Sequence, residues 1–259
     1  MILLGILVFI FGLIIGSFLN VVALRYNTGR TIGGRSFCFS CSKTLRWYEL
    51  VPVFSFISQG GRCRHCHSKI SWQYPLVELS TALLFLFTFL KFGDVTVDCV
   101  YYFVIWSLLT VIVIYDLRHK IIPDGMVYTF AILAAVHLLF NSPSGANLLS
   151  GALLFLPFYL LWYLSDGKWI GLGDGKLALG IGYSLGLVDG LSAIVLGFWL
   201  GAVAALIILG PMKWLSPRSR RLTMKSEMPF APFLILGMIL IFFFRWDILG
   251  LHAVLSLWQ

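Results

Sequence analysis

ILLGILVFIFGLIIGSFLNVVALR, residues 2–25, carries no charge before Arg25 and has only Ser17 and Asn20 as polar interruptions. A helix needs ~20 mostly apolar residues to cross the hydrocarbon core of a bilayer, so this stretch is long enough to span one. No basic residue precedes it, and it outruns the short apolar core of a secretory signal. It reads as a retained helix with its N-terminus outside.

The rest of the chain follows that lead. Of its 259 residues, 59% are hydrophobic and 12% charged, against roughly 25% charged in a soluble domain. Further apolar runs lie near 75–92, 97–115, 121–140, 147–164, 175–188, 191–210 and 229–246, making about eight spans. Only helices or closed barrels satisfy the backbone in lipid, so the fold class is an all-α polytopic membrane protein. Three parts are expected: a first transmembrane helix at 1–24, a polar module at 25–73, and a seven-helix membrane domain at 74–259. Small residues at four-residue spacing, Gly12 and Gly16, Gly197 and Gly201, and the ladder Ala178, Gly182, Gly186, read as helix-packing positions.

The cations set the orientation. Loop 25–73 carries Arg25, Arg30, Arg35, Lys43, Arg46, Arg62, Arg64 and Lys69. The 116–120 turn adds Arg118 and Lys120, the 165–176 loop Lys168 and Lys176, and loop 211–228 Lys213, Arg218, Arg220, Arg221 and Lys225. Of 19 Lys and Arg residues, only Lys91 and Arg245 fall elsewhere. With eight spans these loops share one side, which the positive-inside rule makes cytoplasmic, leaving both termini outside. The net charge of +8 is then explained by insertion and by contact with anionic lipid. No nucleic acid is needed as a partner.

Four of the five cysteines pair as Cys38-Phe39-Ser40-Cys41 and Cys63-Arg64-His65-Cys66, with 21 residues between the pairs. Two C-x2-C knuckles can close one tetrahedral structural zinc site. Disulfides would require an oxidising compartment, and the charge pattern puts this loop in the cytoplasm. His65 and His67 flank the second pair, but four thiolates already fill the shell. Cys99, alone near the outer end of the third span, reads as a buried small hydrophobe.

The run GLGDGK, 171–176, lacks the glycine and hydroxyl positions of a phosphate loop and the third glycine of a dinucleotide fingerprint. A second acid gives it meaning. VIVIYDLRHKIIPDG, 111–125, puts Asp116 at the cytoplasmic end of the third span, and Asp174 opens the sixth at the same face. Two carboxyl groups at close range cannot both ionise, and a pair sharing a proton can perform aspartic proteolysis. Glycines beside Asp174 would let backbone or an extended substrate approach. Spacing alone leaves proton relay or packing open for such acids. Asp124, after Pro123, reads as a cap or orienting group at the start of the fourth span. Asp166 belongs to a polar turn.

Taken in order, GSFLNVVALR (16–25), the paired cysteines, GRCRHCHSKISWQYPLVE (61–78), YDLRHKIIPD (115–124) and GLGDGKL (171–177) resemble the type IV prepilin peptidase family. These are bifunctional leader peptidases and N-methyltransferases of bacterial inner membranes. The resemblance implies that Asp116, in D-x6-P-D, and Asp174, in G-x-G-D, are catalytic, and that Cys38, Cys41, Cys63 and Cys66 bind zinc. It also implies cleavage of the basic leader of prepilins or pseudopilins on the cytoplasmic side. Methylation of the new N-terminal residue with S-adenosylmethionine would follow. Phe39 and Tyr26-Asn27 stand where the family favours proline. No glycine-rich methyltransferase loop is present; Asn20, Glu49 and Glu78 are polar groups near the module for which capping and packing are the simpler roles. Two other readings make the protein a proton-coupled transporter with a regulatory zinc ribbon, or a non-catalytic scaffold of pilus assembly.

Overall fold

The computed structural model describes residues 1–29, 31, 33–141, 145–215, 229–246 and 250, with no account of the side chains of 145–146 and 208–215. Arg30, Arg218, Arg220, Arg221, Lys225 and the C-terminus lie outside what is described. Among the described residues the chain is all-helical. The helices are α1 (Ile2–Arg25), α2 (Phe54–Ser58), α3 (Gln73–Phe92), α4 (Val97–His119), α5 (Asp124–Asn141), α6 (Gly145–Leu164), α7 (Leu172–Leu185), α8 (Leu187–Leu215) and α9 (Ala231–Phe244). Six of them, α1, α3, α4, α5, α6 and α8, are long and apolar enough to cross a membrane. The helices at the other two expected spans, α7 and α9, have 14 residues each, roughly 21 Å at 1.5 Å per residue.

Two helix ends differ from the hydropathy pattern. Helix α4 runs four residues past the expected 115, to His119, and ends where Lys120 turns left-handed (φ 56°) and donates its N–H to the Asp116 carbonyl at 2.7 Å. Apolar content falls at Tyr115-Asp116, but backbone hydrogen bonding continues. Helix α7 starts at Leu172 rather than 175, because Gly171 is extended (φ −76°, ψ 139°) and hands over directly to helical geometry. Both aspartates therefore lie inside helices, one in a last turn and one in a first.

The chain forms two compact units, Met1–Ile114 and Tyr115–Gln259. In the first, α1 packs on α3 backbone to backbone. A Cβ on Gly12 would stand 2.6 Å from Ala82 Cα, and one on Gly16 2.7 Å from Glu78 Cα. Only glycine allows that approach, and it gains dispersion contact where lipid supplies no hydrophobic drive. Phe85 stacks on Phe103 at 4.2 Å, and the buried Trp106 Nε1–H donates to Thr88 Oγ1 at 3.0 Å.

In the second unit α7 is the central helix, flanked by α5, α6, α8 and α9. Its glycines explain how a short helix can be surrounded. A Cβ on Gly180 would collide with the Phe130 ring, and one on Gly182 would lie 2.7 Å from Gly151 Cα. Gly197 meets Leu234 Cα at 3.0 Å in the same way, joining α8 to α9. Gly186 departs from the expected ladder: at φ 84° it makes the turn between α7 and α8.

Candidate functional site

Asp116 sits in the last turn of α4 with 4% of its surface exposed. Its Oδ2 accepts the backbone N–H of Ala231 at 3.2 Å. Ala231 is the first residue of α9, and the leading N–H groups of a helix have no partner within it. A carboxylate thus occupies the positive end of the α9 dipole. Sequence reading did not assign Ala231 a role, although Pro229 and Pro232 around it mark a helix start.

Asp174, partly exposed, is the third residue of α7, again at the end where free N–H groups and the dipole favour negative charge. Its own N–H bonds to Gly171 O at 3.2 Å. The two aspartates are within electrostatic reach of one another, although 57 residues intervene in the chain. Each carboxylate is thus presented at the N-terminal end of a helix: Asp174 on its own, Asp116 on α9.

The neighbouring glycines correct one expectation. Gly173 and Gly175 are not open to a substrate: a Cβ on them would come to 3.0 Å from Ile122 Cβ and 3.0 Å from Phe158 Cβ. Both are packing positions that seat α7 against its neighbours. Gly171 is open apart from Asp174 Oδ2, 3.5 Å from where its Cβ would stand.

Asp124 begins α5 and pairs with Lys176 Nζ at 2.6 Å, while that ammonium lies 4.8 Å from the centre of the Tyr128 ring. The orienting role expected of Asp124 takes this form: it ties the first turn of α5 to α7 two residues beyond Asp174. The sequence alone marks Lys176 only as a loop cation. The signal was an acid and a base, each adjoining one of the two Asp motifs.

The ligand atoms of Cys38, Cys41, Cys63 and Cys66 all lie within 4.8 Å of one another, and this group could hold a metal ion. His65 and His67 are not members of it. The two knuckles are built alike. Cys38 N–H bonds to Lys43 O and Cys63 N–H to Ser68 O, both at 2.9 Å; Ser42 and His67 return to the Cys38 and Cys63 carbonyls at 2.8 and 3.0 Å. Ser42 (φ 57°) and His67 (φ 55°) are left-handed at the same place in each turn. The antiparallel bridges Phe37–Thr44 and Arg62–Lys69 close the two hairpins. Burial opposes ionisation of the Cys38 thiol, but the N–H groups of Cys41 and Ser40 and the Ser68 hydroxyl bring it down to about 6. At Cys41 the Lys43 N–H favours thiolate, yet desolvation and the Cys38 and Cys66 sulfurs push it up to about 11. Four sulfurs so close cannot all ionise unless a cation sits among them, which is the chemistry of a tetrathiolate metal site.

The remaining polar candidates are engaged by backbone. Glu49 Oε2 accepts Arg46 N–H at 2.7 Å, closing a capping box on the short 3-10 turn Trp47–Glu49, and Glu78 Oε2 accepts Val53 N–H at 2.7 Å. Asn20 donates to Gly16 O and Tyr74 O at 3.3 Å and accepts from Gln73 Nε2 at 3.2 Å. The capping and packing roles hold for all three. Cys99 is fully buried, as a small hydrophobe would be.

Known proteins resemble the chain throughout its length. Residues 10–92 match the Bacterial Peptidase A24 N-terminal domain, and residues 103–208 match the Type IV leader peptidase family. A Prepilin leader peptidase/N-methyltransferase of Bacillus subtilis (strain 168) is 32% identical over 256 residues, 97% of this chain and 98% of the relative. A protein of the same name from Myxococcus xanthus (strain DK1622) is 37% identical over 69% of this chain and 55% of its own length. The Type 4 prepilin-like proteins leader peptide-processing enzyme of Escherichia coli O78:H11 is 34% identical over 66% of this chain and 70% of its own. No solved structure matches. The transporter reading finds no support among these relatives.

Proposed function

Because the chain belongs to the type IV leader peptidase family, we propose that it is a membrane aspartic endopeptidase acting on prepilins or pseudopilins. It removes their basic leader peptide at the cytoplasmic face of a bacterial inner membrane and methylates the new N-terminal residue from S-adenosylmethionine. What supports the peptidase reading is that Asp116 and Asp174 lie in one compact unit, each at a helix N-terminal end and near enough to feel the other's charge.

In this reading the ionised member of the pair takes a proton from water as the water oxygen attacks the scissile carbonyl carbon. The protonated member hydrogen-bonds the carbonyl oxygen as it gains charge. Collapse of the tetrahedral adduct breaks the C–N bond, and the leaving amine takes up the proton. Carboxylates at helix ends suit a bond lying just outside a substrate's own transmembrane helix, since lipid-buried peptide bonds are held in helical hydrogen bonds.

Cys38, Cys41, Cys63 and Cys66 would hold zinc, whose role there is to fold the 25–73 module. The polar groups around the module are committed to backbone, so no residue set is assigned to the methyl donor. Incubation of purified protein with a prepilin peptide and S-adenosylmethionine tests the whole assignment by product mass. Loss of the leader and a gain of one methyl group are expected. Normal cleavage by either Asp116→Asn or Asp174→Asn overturns the dyad.

A further inference from the structure

The segment between the two cysteine hairpins contains a strained turn at an unexpected depth. Val53, a β-branched residue, is held at φ 59° and ψ −49°, and Phe54 N–H closes back on Pro52 O at 2.5 Å. This is a three-residue γ-turn of the rare, strained hand. It is fastened by Glu78, which takes the Val53 N–H at 2.7 Å. Glu78 lies five residues into α3, a candidate membrane span that begins at Gln73. At 1.5 Å per residue the Glu78 backbone sits roughly 7–8 Å beyond the start of that helix, and its carboxylate holds the turn near this level. On the other side of Glu78 is Gly16 of α1, nine residues before that helix ends at Arg25. The turn is therefore tethered beside the first turns of α3.

Backbone at such a depth must satisfy its own polar groups, and several N–H groups of this segment do so locally. Pro52 has no N–H to satisfy. Ser55 N–H reaches Val51 O at 2.9 Å, Ile57 reaches Val53 O at 3.1 Å, Gln59 reaches Ser55 O at 3.1 Å and Gly61 reaches Phe56 O at 2.9 Å. The side chains point to the same environment. Phe54 and Ile57, one turn apart on α2, are 67% and 70% exposed, and the nearby tryptophans Trp47 and Trp72 are 78% and 70% exposed. Large apolar side chains grouped in water mark an interaction site, and tryptophan favours the boundary between lipid and water. The Arg46 guanidinium lies 6.0 Å from the centre of the Tyr48 ring, beside Trp47, where it can meet lipid phosphates.

We propose that residues 50–58 are seated in the bilayer interface, with Phe54 and Ile57 inserted among phospholipid chains, so that the cysteine module rests on the membrane. An amphipathic segment of this kind sinks about 5–10 Å into the headgroup boundary, which matches the depth set by Glu78. The test uses the full chain in nanodiscs of phosphatidylethanolamine and phosphatidylglycerol, with a benzophenone amino acid at position 54, 57 or 65. The first two replace exposed apolar side chains, so folding is unaffected; His65 is at the tip of its hairpin, away from the Arg62–Lys69 bridge after which the chain leads into α3. Illumination and intact-mass analysis are expected to give roughly ten-fold more phospholipid adduct at 54 and 57 than at 65. Equal labelling at the three positions overturns the proposal. So do adducts at 54 and 57 that form with an added prepilin peptide in place of lipid.

Discussion

The cysteine cluster and the aspartate pair are assembled in opposite ways. Each cysteine hairpin closes within ten residues through its own backbone bonds, and the two copies share the same left-handed residue and the same bridge. The aspartate pair has no local turn of its own. Asp116 and Asp174 come from α4 and α7, and Asp116 is held by the first N–H of α9. A site made from local turns should fail locally, and a site made from packed helices should fail with the packing. Four experiments test that contrast.

The largest effect is expected at the pair itself. Asp116→Asn or Asp174→Asn should slow leader cleavage by about 100-fold to 10,000-fold, with thermal unfolding unchanged. Methylation of a peptide supplied without its leader should persist, because the change is confined to one proton-sharing site. Next comes Cys63→Ala, at the buried member of the cluster. Structural zinc contributes on the order of 10 kcal/mol to small tetrathiolate folds, so metal analysis should read no bound zinc and limited proteolysis should cut within 25–73. Cleavage activity should fall less than methyl transfer.

Packing supplies the third case. Gly182→Val places carbon against the Gly151 backbone, which has no side chain to move aside. Overpacking of this kind costs about 1–3 kcal/mol, so the unfolding temperature and cleavage should fall together, while Gly171→Ala, in open space, should leave stability unchanged. The smallest effect is expected at Lys176→Met. Its partner Asp124 is 67% exposed, so solvent screening keeps the pair below about 1 kcal/mol. Stability should barely move; a change in cleavage rate beyond a few-fold would show that the tie between α5 and α7 orients Asp174.

A site for a methyl donor was the least legible feature of the chain. Asn20, Glu49 and Glu78 stand out as polar residues in apolar surroundings, yet each is spent on backbone N–H or carbonyl groups. Hydropathy located six helices long and apolar enough to cross a membrane, because apolar side chains must face lipid whatever their neighbours are; at the other two expected spans the helices have 14 residues. It misjudged the ends of α4 and the start of α7 by a few residues, since backbone hydrogen bonding does not stop where polarity begins. Those few residues matter: they put Asp116 and Asp174 inside helical turns.

The long apolar helices and the two matching cysteine turns were decided by the chain's own order of residues. They depend on transfer to lipid and on short-range backbone geometry, which act on consecutive positions. Tertiary packing alone decided that Gly173 and Gly175 face Ile122 and Phe158 and not a substrate, that Asp124 faces Lys176, and that α9 begins on the Asp116 carboxylate. Such meetings depend on how closely helices approach one another. That distance is set by small side chains on several elements at once, and no single stretch contains it.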